Sequence, residues 1–221
     1  MTVSREPPSY DRLIGTLGAE LRPVRRLAPP LLRAGLWLGL VAVFAAGLAA
    51  VSDMDAFVRR LTAAPDMWLA VAGSTLTAIA AAVAAFELSV PDRRAAWAWL
   101  PVPPLALWIA ASGLGCLRNW IVPGTHTAAV NEAGDCLVFI LGLSIPLGAV
   151  LLLMLRRAFP LRPDLTAVTG GLAVAAAAAT LLNFFHPFDA AATDLSVHAL
   201  AVLIVIVVGH MVGHRFFPSA V

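Results

Sequence analysis

A series of long apolar runs, at about 31–51, 67–88, 95–116, 136–155, 165–185 and 195–213, constrains this chain most. Short segments between them hold most of the charge. A helix crosses the hydrocarbon of a bilayer with roughly twenty mainly apolar residues, and in lipid only helices or closed barrels satisfy their own backbone groups. Six such runs predict an all-α fold, a six-transmembrane-helix bundle. Composition agrees, since the chain is 60% hydrophobic and 13% charged, whereas soluble domains carry about 25% charged residues. The net charge of +2 is too small to argue for nucleic acid.

The connecting segments set the orientation. All fifteen basic residues are arginine. Arg5, Arg12, Arg22, Arg25, Arg26 and Arg33 lie before or at the start of the first run. Arg93 and Arg94 fall in the loop 89–94, Arg156, Arg157 and Arg162 in or beside the loop 156–164, and Arg215 in the tail. The alternate loops hold Arg59, Arg60 and Arg118. Twelve against three places both termini in the cytoplasm by the positive-inside rule. Trp68, Trp97 and Trp120 fall near the expected interfaces. Some thirty mainly polar residues precede the first run, so no cleavable signal peptide is expected.

Those leading residues are the one sizeable piece that cannot cross a membrane. Helical spacing puts Tyr10, Leu13, Ile14, Leu17 and Leu21 on one face, and Asp11, Arg12, Thr16 and Glu20 on the other. Ser9 can cap such a helix and Pro23 ends it. A short helix with an exposed apolar stripe needs a groove or a membrane surface to cover it. Its acidic residues favour the groove. The expected organisation is a cytoplasmic binding segment over 1–30, a membrane domain over 31–215 and a tail over 216–221.

Inside the runs the residues speak of packing. Gly35 and Gly39 form a G-x-x-x-G face, and Gly170-Gly171 precede Ala175–Ala179, the small residues that let helices approach closely in lipid. Pro101, Pro103 and Pro104 are expected to kink or break the third span, and Pro146 to bend the fourth. Glu87 is expected to pair with Arg93 or Arg94. No span carries a row of charges, which argues against ion-coupled transport.

Chemistry-bearing side chains gather towards the extracytoplasmic side. Cys116 is expected to end the third span and Cys136 to begin the fourth, with His126, Glu132 and Asp135 between them; His186, Asp189, Asp194 and His198 flank the next outward loop. Such a set can sense oxidants or soft metals, or simply be loop residues beside two thiols. Two cysteines make no disulfide framework or thiolate cage. Gly142-Leu143-Ser144 with His198 raises a rhomboid-like intramembrane serine protease, but Ile145-Pro146 follows the serine where that family needs glycine. His198, His210 and His214 lie on or beside one helix, with no facing histidine to complete a haem site. No enzyme activity and no cofactor are expected.

The segments YDRLIGTLGAELRPVRRLAPPLLRAGLWL, VPDRR, LPVPPLALW, CLVFILGLSIPLGAVLLLMLRRAFPLRP and the His186-Pro187-Phe188-Asp189 loop together resemble the NrsF family, negative regulators of sigma F. The resemblance covers nearly the whole chain. It implies an inner-membrane anti-sigma factor that holds an extracytoplasmic-function sigma factor through its N-terminal segment. Tyr10, Leu13, Ile14, Leu17 and Leu21 would supply the contact, with Arg22, Arg25 and Arg26 at its rim. It also implies release on oxidative or heavy-metal stress through outward-facing cysteines, of which Cys136 matches the first. The second family position follows a histidine, and here His186 is followed by Pro187, so that place is unfilled; Cys116 is a different possible partner. His186, Asp189 and His198 complete the sensing set. A free-standing six-span redox or metal sensor is the alternative.

Overall fold

The computed structural model describes residues 10–19, 26–63, 65–121, 130–158, 160–185, 199–200 and 202–211. Within them the chain is helical, without a strand. The elements are α1 (Tyr10–Ala19), α2 (Pro30–Val51), α3 (Met54–Ala63), α4 (Pro65–Leu88), a 3-10 helix (Ala95–Trp99), α5 (Val102–Ile121), α6 (Val130–Arg156) and α7 (Pro163–Leu182). A shorter apolar helix, α8, covers Val202–Met211.

Five segments are long and apolar enough to span a membrane: Pro30–Val51, Met67–Leu88, Ala95–Leu114, Leu137–Arg156 and Pro163–Leu182. Six were expected, so the count is corrected among the described residues. The reason is length. The described part of the run 195–213 is the ten-residue α8, about 15 Å of helix against a hydrocarbon core of about 30 Å.

The prolines punctuate the bundle. Pro30 and Pro163 stand in the first turns of α2 and α7, where the missing N–H costs no intrahelical bond. The third span breaks as expected: the 3-10 helix ends at Trp99, and α5 begins at Val102 with Pro103 and Pro104 in its first turn. Pro146 is accommodated inside an uninterrupted α6.

The axis of the fold is α7. Fifteen of its twenty residues are buried, including Gly170, Gly171 and the run Ala173–Ala179. It packs most extensively on α4, then on α6, while α4 also packs on α5 and α2. A helix apolar all round belongs in the middle, and small side chains let its neighbours reach its backbone. Gly171 shows this directly: a Cβ there would sit 2.9 Å from the Cα of Ile206 on α8. Gly73 plays the same part between α4 and α5, where a Cβ would lie 2.8 Å from the Trp108 backbone.

Gly35 and Gly39 do not. A Cβ at either would meet nothing within 4 Å. The expected packing face is turned outward, because α2 touches α4 and α6 through Ala34, Trp37 and neighbouring apolar residues.

Hydrogen bonds stitch the helices across the apolar interior. Trp37 Nε1 on α2 donates to the Leu147 carbonyl on α6 at 3.1 Å. Thr180 Oγ1 on α7 lies 2.9 Å from Ser74 Oγ on α4. In an apolar interior such polar contacts add to the close packing that joins the helices.

Candidate functional site

Three parts of the molecule carry the residues singled out by sequence. The first is α1. All ten of its residues are exposed. Tyr10 is 83% exposed and Ile14 66%, with Leu13 and Leu17 beside them on the same face. Asp11 and Arg12 point away from that stripe by helical spacing, and Thr16 Oγ1 donates back to the Arg12 carbonyl at 2.8 Å. Among the described residues nothing covers this apolar face, and such a face suits a partner groove or a membrane surface. Arg26 follows in exposed, non-helical chain. Leu21, Arg22 and Arg25 lie outside the described residues.

The second part is the end of the bundle where α5 ends and α6 begins. The cysteines sit deeper in helices than expected: α5 runs on to Ile121, five residues past Cys116, and α6 starts at Val130, six residues before Cys136. The polar residues flanking the apolar runs extend both helices beyond the hydropathy boundary. Phe139, three residues after Cys136 on α6, meets Phe185 at 6.0 Å between ring centroids. Phe184 in turn stacks on Phe57 of α3, with centroids 5.1 Å apart. The turn that ends α7, immediately before His186, is therefore clasped between α6 and α3. His186, Asp189 and His198 themselves lie outside the described residues.

The third part was missed by sequence reasoning. Arg33, counted there with the cytoplasmic arginines at the start of the first run, is 5% exposed and buried inside the bundle at the first turn of α2. Its Nη2 donates to the Met154 carbonyl of α6, its Nη1 lies 3.4 Å from Ser89 Oγ, and its guanidinium sits 4.9 Å from the centre of the Phe86 ring. Ser89 Oγ donates to the Phe86 carbonyl at 2.6 Å. One side chain thus joins the start of α2 to the ends of α4 and α6. The signal was present: Arg33 stands three residues inside an apolar run that opens on Pro30, deep enough to be covered by neighbouring helices.

Around Arg33 the same end is closed by further contacts. Glu87 is buried and pairs with Arg93 at 3.0 Å, as its spacing foretold. Arg162 Nη1 donates to the Arg93 carbonyl at 2.7 Å, tying the loop after α6 to the loop after α4. His210 of α8 approaches Asp164 of α7 at 3.9 Å, so the C-terminal end of α8 lies against the N-terminal end of α7. Among the described residues no group of three histidine, cysteine or acidic side chains gathers as a metal site.

A family model described as NrsF, negative regulator of sigma F, matches residues 17–218. No curated protein and no solved structure matches the chain.

Proposed function

The chain belongs to the NrsF family of negative regulators of sigma F, and from that premise we propose that it is an anti-sigma factor of the bacterial inner membrane, without enzymatic activity. Segment 1–30 holds an extracytoplasmic-function sigma factor, 31–215 anchors it in the bilayer, and 216–221 is a cytoplasmic tail. The observation that carries this reading is the uncovered stripe of α1, Tyr10, Leu13, Ile14 and Leu17, on a chain whose remaining helices pack against one another. Leu21 continues the stripe in sequence, and Arg22, Arg25 and Arg26 lie at its rim.

Both termini lie in the cytoplasm in this reading, so α8 must be the core of a sixth crossing. Its seat on Gly171, halfway along the buried α7, supports that role. Release follows from extracytoplasmic oxidant or heavy metal acting at Cys136, with Cys116, His186, Asp189 and His198 as its neighbours in function. The clasp of Phe139 on Phe185 supports the pairing of the Cys136 helix with the His186 loop. A stimulus works here only by favouring one of two bundle arrangements.

The test is capture of an extracytoplasmic-function sigma factor of the same organism, using the full-length protein in detergent. Burying a leucine contributes roughly 1.5–3 kcal/mol, so Leu17→Asp weakens capture at least about tenfold. Reversing Arg12, on the opposite face, changes it little. Capture indifferent to Leu17→Asp but lost when Arg25 and Arg26 are neutralised overturns the groove and points to a charge-led contact.

A further inference from the structure

A cleft of about 460 Å³ lies between α6, α7 and α8, and its walls are almost wholly apolar. Its room comes from missing side chains. Gly148 is one example, since a Cβ there would still stand 3.8 Å from Val174. The rim includes Ile145, Ala149 and Val208, all exposed on the outside of the bundle. For membrane-spanning helices that outside is lipid, so entry is lateral.

One wall residue does not fit an apolar filling. Ser144 is 6% exposed, and its Oγ is buried with no hydrogen-bond partner. Other hydroxyls of the membrane helices are bonded: Thr77 to the Gly73 carbonyl, Thr169 to the Leu165 carbonyl, Ser74 to the Val71 carbonyl. A hydroxyl left unpaired in a dry setting is costly, because its lost water is not replaced. It lies about 18 Å along α6 from Arg156, far from any headgroup. A lipid tail fills the cleft's volume but cannot satisfy that oxygen.

We propose that this cleft is a binding site for a membrane-dissolved amphiphile, an apolar molecule carrying a hydroxyl or carbonyl oxygen that hydrogen-bonds to Ser144. Its volume falls within the usual range of ligand pockets, about 300–1,000 Å³. The site rests on the membrane disposition of the helices and is independent of whether α1 captures a sigma factor. Because its walls come from three helices, an occupant holds α8 against α6 and α7.

The experiment uses the full-length protein in phosphatidylcholine nanodiscs and a long-chain alcohol bearing a photoreactive diazirine. Cross-linked peptides are mapped by mass spectrometry, with 1-dodecanol and dodecane as competitors. The label is expected to concentrate on peptides from α6 and α8, and dodecanol to compete at about tenfold lower concentration than dodecane. Ser144→Ala removes about three- to tenfold of that advantage, the worth of one hydrogen bond. Ala149→Trp, at the exposed rim, blocks labelling by filling the mouth. Equal competition by the alkane overturns the proposal, since the hydroxyl then turns back onto its own helix and the cleft holds only lipid tails. Label spread evenly over all lipid-facing helices overturns it too. The competition on the unmutated protein decides the point even if a variant does not fold.

Discussion

Arg33 occupies a position where a charge ought to be expensive. Burying a cation costs several kcal/mol unless hydrogen bonds and packing offset the loss of water. Here a carbonyl, a hydroxyl and an aromatic face supply the offset, the last worth about 2 kcal/mol when desolvated. The side chain also fills space beside Phe86, which is fully buried. Arg33→Ala is therefore expected to destabilise the folded bundle by about 2–4 kcal/mol, mostly through the void it leaves. Arg33→Met fills the volume without the charge and should recover most of that loss. Thermal unfolding in detergent, followed by circular dichroism, separates the two contributions. If methionine is as damaging as alanine, the hydrogen bonds rather than the packing hold the site. Charge counting along the chain placed Arg33 at the start of the first run but did not find it buried, because it registers sign and position but not depth. Glu87, by contrast, was legible: only a short turn separates it from Arg93, and a carboxylate at the end of an apolar helix needs a nearby cation.

At the scale of the elements, the glycines divide into those that a neighbour presses upon and those that face outward. Gly73→Ala places a methyl group 2.8 Å from the Trp108 backbone, and backbone cannot move aside cheaply. A loss of about 1–3 kcal/mol is expected from such overpacking. Gly35→Ala adds a methyl to open space and is expected to leave the unfolding midpoint unchanged or slightly raised. Midpoints of the two variants, measured side by side, check the assignment of α4–α5 as a tight crossing. Sequence showed small residues on several helices but could not say which met a partner, because that depends on how each helix is rotated in the bundle. The same ignorance hid α3, a ten-residue helix whose mean hydropathy is low and whose anchor, Phe57, is matched by a phenylalanine 127 positions further along. The ends of α5 and α6 that carry Cys116 and Cys136 bear the sensing proposal. A sigma-dependent reporter challenged with oxidant or cadmium should lose induction in Cys136→Ser. Cys116→Ser should lose it as well if the two thiols form a disulfide, which needs their Cα atoms within about 7 Å. Normal induction in Cys136→Ser removes that cysteine from the mechanism, whereas normal induction in Cys116→Ser alone removes only the disulfide.

For the whole molecule the deciding question is whether the last helix crosses. The arginine asymmetry and the five candidate spans agree on the order of the first loops, but five crossings alone would put the two termini on opposite sides. What favours a sixth is packing: Ile206 and Gly209 meet Gly171 in the interior of the bundle, and His210 approaches Asp164 at the end where α7 begins. A helix lying flat on the surface would have no reason to place glycine against glycine. Reporter fusions are expected to read cytoplasmic after Asp92, after Leu161 and at the C-terminus, and extracytoplasmic after Asp53, Gly124 and Ala191. Asp92 and Leu161 are exposed, so fusions there spare the buried Ser89 and its contact with Arg33. The C-terminal reporter carries the test. An extracytoplasmic reading there would leave α8 as a half-crossing or a surface helix and remove its role in walling the cleft. It would leave the proposed cytoplasmic placement of α1 resting on the arginines before α2 and in the loops after α4 and α6. A cytoplasmic reading at the C-terminus, together with an extracytoplasmic one at Ala191, requires the chain to pass back through the bilayer within the run 195–213. That establishes the even number of crossings that keeps the sigma-binding segment and the tail on one side and the cysteine loops on the other.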